Sequence, residues 1–295
     1  MDYQYTLAGT ASFSGIGLHS GVAVNIRLLP APANTGIVFK RVDLEGFRVE
    51  ALARNVTRVS YATSLMKKGV LISTTEHLLS ALVGCGVDNV FVEIDSLETP
   101  IGDGSALPFV RLIQRTGVRK QRGRRHYLQV LKPVEVVDGN RRVAIYPSDS
   151  YRISYRIEFD HPLIGVQEMD FELEQEDYRT SIASARTFGF LQEAEMLRES
   201  GLVQGGSLEN AVVLTPEGVM NPEGLRFPDE FCRHKILDLI GDLALVGHPV
   251  LGHVVADRAG HAMHFALVSK MLKNKSLTRL VNSRDFRPVL QAITA

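Results

Sequence analysis

Between Gly21 and Leu28 the apolar residues Val22, Val24, Ile26 and Leu28 alternate with the others, the period of a half-buried strand, and Pro30 and Pro32 end it. Ile37-Val38-Phe39, a hairpin around Lys67-Lys68-Gly69 and Leu71-Ile72 continue the strand-rich pattern. A helix is expected from near Thr74: Ser73 and Glu76 have capping-box spacing, Leu78, Leu79, Ala81 and Leu82 form an apolar face, and Gly84 and Gly86 stop it. Val90, Val92 and Ile94 alternate again, and Ser105 to Arg115 reads as a short helix. Strands resume at Leu128–Val130 and Val134–Val137, turn at Asp138-Gly139-Asn140, and return through Val143–Ile145 and Ile153–Ile157. A helical pattern then runs from Tyr178 to Glu199. It is followed by a strand at Ala211–Leu214, a helix around His234, a strand at Val254–Ala256 and a helix over Met263–Leu272.

Each half runs strands first and helices later, which predicts an α+β fold with sheet and helix layers in both halves. The stretch between Gly117 and His126, with Arg119-Lys120-Gln121-Arg122-Gly123-Arg124-Arg125, has no apolar period and reads as a solvated linker and domain boundary. No aromatic set accompanies it, so a nucleic-acid patch is not expected.

Composition narrows the classes without choosing among them. The 295 residues are 45% hydrophobic, enough for two modest cores, and 33 basic residues balance 33 acidic ones, so no global field draws the chain to nucleic acid or to an anionic membrane. Two cysteines, Cys85 and Cys232, are too few for a disulfide framework and read as small core residues. The N-terminus lacks an export signal and no apolar run reaches bilayer length, so the cytoplasm is the expected compartment.

The chemistry concentrates in Phe231–Asp242, where His234, Asp238 and Asp242 recur every four residues on one helical face among Ile236, Leu237, Leu239 and Ile240. A hydrolytic zinc takes three protein ligands and keeps a position for water. His77, with the carboxylate of Glu76 beside it as a general-base candidate, is the best third donor, and facing helical layers would bring it to His234 and Asp238 in a cleft. Each signal has a plainer alternative. His234 could be a core histidine, Asp238 and Asp242 solvated helix carboxylates, Glu76 half of a capping box, and Asp103 a turn residue. The glycine-rich Gly15–Gly21 departs from phosphate-loop spacings, and His261 is a lone histidine by spacing.

Together, Thr75-Glu76-His77-Leu78, Asp103-Gly104-Ser105-Ala106, Ser184–Phe190, Gly224-Leu225-Arg226-Phe227, His234-Lys235-Ile236-Leu237-Asp238 and Gly260-His261 closely resemble the UDP-3-O-acyl-N-acetylglucosamine deacetylases, zinc amidases of lipid A biosynthesis. The resemblance extends to Gly15–His19 and Ala31–Gly36 and fades after about Lys273. It implies two similar α+β domains, each a sheet layered on a pair of helices, with the helices face to face and the metal between them. By position these would be residues 1–118, with a β insert at about 42–70, and residues 126–275, with a βαβ insert at about 190–214 that builds an apolar passage for the acyl chain. Residues 276–295 would be a C-terminal tail.

By motif, His77, His234 and Asp238 would be the ligands, Glu76 the base, Thr187 an oxyanion donor and His261 the cation opposite the leaving group. Asp242 would orient His261, and Lys235, Phe188 and His19 would contact substrate. Where the family carries a lysine for the nucleotide diphosphate, this chain offers Arg141 or Arg258, and the loop Tyr61-Ala62-Thr63-Ser64 lacks a cysteine found in some members. The expected cofactor is Zn2+, with Fe2+ also suited to two histidines and one aspartate. The expected partner is a UDP-linked acylated amino sugar, with no nucleic acid and no stable membrane insertion, and the chain is expected to be a monomer. A non-catalytic zinc-containing protein that binds nucleotide sugars or lipids is the rival reading. Structural zinc sites, however, are closed and cysteine-rich. A metalloprotease is disfavoured because the His-Glu-x-x-His motif is absent.

Overall fold

The alternation that begins at Gly21 becomes the strand Ala23–Pro30, with Val24, Ile26 and Leu28 buried and Asn25 and Arg27 exposed. The computed structural model describes residues 2–174, 177–282 and 285. This strand lies in a five-stranded sheet ordered Ala11–Ile16, Ala23–Pro30, Val90–Ile94, Ile37–Arg41, Phe47–Glu50. All pairs are antiparallel except Ile37–Arg41 with Val90–Ile94, which is parallel. The helices α1 (Glu76–Gly84) and α2 (Leu107–Thr116) share its core.

The second half has the same kind of layering. Its seven-stranded sheet is built around Val250–Asp257, which pairs antiparallel with Arg141–Tyr146 and parallel with Tyr151–Phe159 and His126–Val130. The short helix α3 (Leu191–Glu199) accompanies a separate three-stranded sheet of Phe188–Phe190, Val212–Thr215 and Gly218–Val219. The helices α4 (Glu230–Leu243) and α5 (His261–Lys273) join the core of the large sheet. Leu78, Leu79 and Leu82 of α1 and Ile236, Leu239 and Ile240 of α4 are all fully buried in one continuous cluster, so the two halves share a single apolar interior. The fold is therefore α+β, two sheet-plus-helix layers joined through helices.

Several local expectations change. Val118–Arg124 is a strand paired antiparallel with Tyr3–Leu7 rather than a linker. Lys120 and Arg124 lie 3.9 and 4.4 Å over the Tyr3 ring, so charged side chains with aliphatic stems make the contact that an apolar period would otherwise announce. The expected helix from Tyr178 to Glu199 is broken. A single π turn covers Tyr178–Ile182, and Phe188–Phe190 pairs parallel with Val212–Leu214 before α3 begins. Helical periodicity lost there to a buried ion pair, because Arg186 lies only 2% exposed with Nε 2.9 Å from Glu230 Oε1.

Phe47–Glu50 belongs to the main sheet, so the small additional sheet comprises only Val56–Arg58, Ser64–Lys67 and Val70–Ile72. Its Lys68-Gly69 turn has φ of 49° and 84°, the left-handed pair that a two-residue hairpin requires. The second additional sheet runs beyond 190–214, from Phe188 to Val219. Thr278–Asn282 is not tail but a strand along His126–Val130, and the segment after 285 lies outside the described residues. The capping box does not form: α1 starts at Glu76 without a side-chain cap, and Ser73 Oγ instead meets Ser64 Oγ at 2.9 Å.

Candidate metal centre

The first turn of α1 delivers Glu76 and His77 from a strained approach. Thr74 has φ of 56°, held there by its hydroxyl on Glu98 Oε1 at 2.8 Å and by Thr99 Oγ1 on its carbonyl. One helical face of α4 delivers His234, Asp238 and Asp242, all 2% exposed, and the start of α5 delivers His261. Helical spacing and the α1–α4 packing thus bring together residues far apart in sequence.

The ligand atoms of His77, His234 and Asp238 lie within 4.8 Å of one another. Asp238 Oδ1 is 3.3 Å from His234 Nε2 and 3.6 Å from His77 Nε2, near the ~3.3 Å edge of a tetrahedral zinc site with bonds of about 2.0–2.1 Å. His234 Nδ1 faces the Ala185 carbonyl at 3.1 Å, and a carbonyl only accepts, so Nδ1 carries the hydrogen. Burial, opposed by Asp238, pushes the His234 pKa down to about 3, so the ring is neutral. Its Nε2 lone pair therefore points at a carboxylate oxygen. Burial works against charge on Asp238 as well, but its neighbours, among them the cations Lys235 and His261, outweigh it and hold the carboxyl well below its usual range. Asp238 Oδ1 and His77 Nδ1 are buried without a hydrogen-bond partner among the described residues. The His234 lone pair, the His77 ring and an unsatisfied carboxylate oxygen converge on one point and could hold a cation there.

A second cluster of Asp242, His261 and His264 is equally tight but differs in kind. His261 Nδ1 and His264 Nδ1 both reach Asp242 Oδ2, at 2.7 and 2.8 Å, and each donates to a carboxylate that can only accept. No lone pairs converge, so this is a hydrogen-bonded network rather than a metal site. Burial lowers the affinity of His261 for a proton, yet Asp242, Asp238 and Glu76 together push its pKa up to about 10. Burial disfavours charge on Asp242 too, and His261 with His264 brings its pKa to about 2. Glu76 is raised by burial against the pull of His261 and His77. His261 Nε2 stands 3.9 Å from both Glu76 Oε1 and Asp238 Oδ2, so the cationic ring faces the ligand cluster across a narrow gap.

A sequence model for UDP-3-O-acyl N-acetylglycosamine deacetylases matches residues 4–273. The chain is 52% identical over 281 residues to the UDP-3-O-acyl-N-acetylglucosamine deacetylase of Solibacter usitatus, covering 95% of each chain. It is 50% identical over 289 residues to that of a Geobacter species, covering 98% of this chain and 94% of the relative. With the Myxococcus xanthus protein of the same name it shares 48% over 282 residues, 95% of this chain and 90% of that one. The chain belongs to the UDP-3-O-acyl-N-acetylglucosamine deacetylase family.

Within this deacetylase, the remaining expected site residues lie at different distances from the cluster. Lys235 Nζ sits 2.9 Å from Asp238 Oδ2 and 5.6 Å from the centre of the Phe188 ring, which is itself 6.4 Å from the His234 ring. Thr187 is half-buried and held by its backbone, N–H to Gly104 O at 2.8 Å, while its hydroxyl makes no hydrogen bond among the described residues. His19 makes no hydrogen bond to the ligand cluster among the described residues. Its N–H donates to Glu98 Oε1 at 2.9 Å, and its ring borders a cavity of about 390 Å³ with Ser64 and Leu202. Arg141 and Arg258 come off the same end of the large sheet, one residue beyond the Arg142–Asp257 pair. Arg141 pairs with Asp138, and Arg258 Nη1 lies 3.2 Å from Glu158 Oε2.

Sequence reasoning missed Thr63, whose N–H donates to Glu76 Oε2 at 3.0 Å and whose hydroxyl donates to Asp242 Oδ1 at 2.5 Å. It also missed His264, Ala185 and the Arg186–Glu230 pair. For His264 a signal existed, since its three-residue spacing from His261 repeats one face of a helix. The contacts of Thr63 and Ala185 are backbone or long-range and leave no pattern along the chain.

Proposed function

We propose that this deacetylase hydrolyses the N-acetyl amide of a UDP-3-O-acyl-N-acetylglucosamine, giving acetate and the free amine on the path to lipid A, with His77, His234 and Asp238 holding one divalent metal. The observation that carries this reading is the neutral His234 aiming its lone pair at Asp238 Oδ1 while the cationic His261 stands 3.9 Å from Oδ2 of the same carboxylate. Zn2+ suits two imidazoles and one carboxylate, and Fe2+ is the second choice. When bound, such a metal supplies Lewis-acid polarisation of the amide carbonyl and a water acidic enough to attack at neutral pH.

The chain's own residues do the rest. Glu76, fixed through Oε2 by the Thr63 N–H, leaves Oε1 to take the proton as water oxygen bonds to the acyl carbon. Thr187, with an unengaged hydroxyl, donates to the oxygen on which negative charge develops. As the carbon–nitrogen bond breaks, the amine must gain a proton. His261 Nε2 carries one, and protonated Glu76 carries another on the same side. Asp242 keeps the His261 ring oriented and charged. Lys235 and Phe188 border the sugar, Arg258 and Arg141 meet the diphosphate, and the sheet from Phe188 to Val219 with α3 encloses the acyl chain. In this scheme the first half, extended to Arg124, and the second, extended to Asn282, hold one substrate between them, in a monomer of the cytoplasm. No helix of the described residues is long and apolar enough to cross a membrane.

A non-catalytic binding protein has no use for a carboxylate and an imidazolium facing each other beside the ligand set. The test is acetate release from UDP-3-O-acyl-N-acetylglucosamine set against UDP-N-acetylglucosamine. Release from the acylated substrate alone supports the reading, and binding of it without acetate formation overturns it.

A further inference from the structure

Asp242 carries more than the histidine it is expected to orient. Oδ2 accepts from His261 Nδ1 at 2.7 Å and from His264 Nδ1 at 2.8 Å, while Oδ1 accepts from the Thr63 hydroxyl at 2.5 Å. His264 is fully buried, and its far nitrogen, Nε2, lies 3.1 Å from the hydroxyl of Tyr155, which is 1% exposed. That hydroxyl is also 2.9 Å from the carbonyl of Ala259, two residues before His261. The contacts therefore close a ring: Tyr155 to Ala259, along the chain to His261, across to Asp242, on to His264 and back to Tyr155.

We propose that His264 is a positioning residue for His261, acting through Asp242 and anchored by Tyr155. A carboxylate held by a single hydrogen bond can turn about its own bond and carry its partner with it. A second donor on the same oxygen and a third on the other remove that freedom. Because Asp242 only accepts, His264 Nδ1 must carry its hydrogen, while the single hydrogen of the Tyr155 hydroxyl goes to the Ala259 carbonyl at 2.9 Å with His264 Nε2 3.1 Å from the same oxygen. Asp242 thus fixes the hydrogen at Nδ1, and Tyr155 holds the far edge of the ring in place. A purely apolar core position would be filled more cheaply by leucine, since a buried imidazole needs partners for two nitrogens. Three-residue spacing at the start of α5 puts both imidazoles on one side of the helix, where the penultimate residue of α4 can receive both.

The proposal rests on the reading of His261 as the residue that handles the proton or the oxyanion, and the test separates the two. kcat and KM for acetate release are measured on the metal-loaded full chain for His264→Leu, His264→Asn, His261→Gln and the double variant His261→Gln/His264→Leu. Expected for His264→Leu is a kcat lowered about 10–100-fold with KM within about threefold of wild type. His264→Asn, which keeps an N–H near the Nδ1 position, should recover most of it. The double variant should be no slower than His261→Gln, because a residue acting only through His261 has nothing left to act on. An unchanged kcat in His264→Leu, equal losses in the leucine and asparagine variants, or a further full loss on top of His261→Gln each overturns the proposal. An unchanged kcat in His261→Gln overturns the underlying reading instead. Should His264→Leu fail to fold, Tyr155→Phe takes its place. Its kcat should fall in the wild-type background and not in His261→Gln, and no fall in either overturns the proposal.

Discussion

Gly241 presses on the backbone of Glu76: a Cβ at position 241 would collide with the Glu76 carbonyl oxygen and crowd its Cα. Glycine at this point lets α4 approach α1 closely enough for Asp238 and Asp242 to share a site with Glu76 and His77. Gly241→Ala should therefore act on both stability and chemistry. Overpacking of a close crossing costs about 1–3 kcal/mol, and a forced separation of the helices pulls His77 from His234 and Asp238. Chemical denaturation and metal titration should show lower stability together with weaker metal binding, and a variant that loses stability alone would mean the crossing does not set the ligand geometry.

Each of His77→Ala, His234→Ala and Asp238→Ala should lower metal content along with activity, because each removes one donor from a set of three. Metal analysis after dialysis checks this. Full occupancy in Asp238→Ala would take that carboxylate out of the ligand set.

The pKa shifts give signs as well as roles. His261, raised to about 10, contributes stability that is complete below its ordinary value near 6.5 and lost as pH rises through about 10. Asp242, lowered to about 2, contributes stability that is present above its ordinary range near 4 and lost as pH falls through about 2. Thermal melts of metal-free wild type and His261→Gln should differ most near pH 6 and converge toward pH 10. Asp242→Asn should move the His261 titration, followed by NMR, to lower pH. A His261 titration that stays in place would show that Asp242 does not hold the ring's charge.

Arg186 lies almost fully buried between Glu230, with Nε to Oε1 at 2.9 Å, and Glu223, with Nη1 to Oε1 at 2.6 Å. Glu230→Ala leaves the buried guanidinium only Glu223 and the Gly224 carbonyl, removes the acceptor of the Arg186 and Arg226 N–H groups, and should cost about 3 kcal/mol in denaturant unfolding. The same loop carries the Ala185 carbonyl that fixes His234, so metal affinity should fall too. Unchanged affinity in a folded variant would separate the loop from the ligand.

Much of this was legible along the chain where the signal was local. The four-residue spacing of His234, Asp238 and Asp242 among leucines and isoleucines announced a polar face inside a buried helix, and His77 with the carboxylate of Glu76 beside it stood out as the third donor. What the sequence hid depends on contacts between distant segments. Thr63 reaches Asp242 across 179 positions, and although its loop Tyr61–Ser64 stood out by resemblance, nothing there pointed to Asp242. The strand Val118–Arg124 was missed because its partner Tyr3–Leu7 lies at the far end of the domain and its side chains are basic. The Ser184–Phe190 stretch misled for the converse reason. Its helical composition is overridden by the buried Arg186–Glu230 pair and by the Thr187 N–H on Gly104, neither visible in local propensity.

We have proposed that one metal, held by His77, His234 and Asp238, is required for amide hydrolysis. Titrating Zn2+ into chelator-stripped protein while following acetate release from UDP-3-O-acyl-N-acetylglucosamine tests it most directly. Turnover should be absent without metal and should rise linearly to a break at one equivalent per chain. Undiminished acetate release from metal-free protein would contradict it.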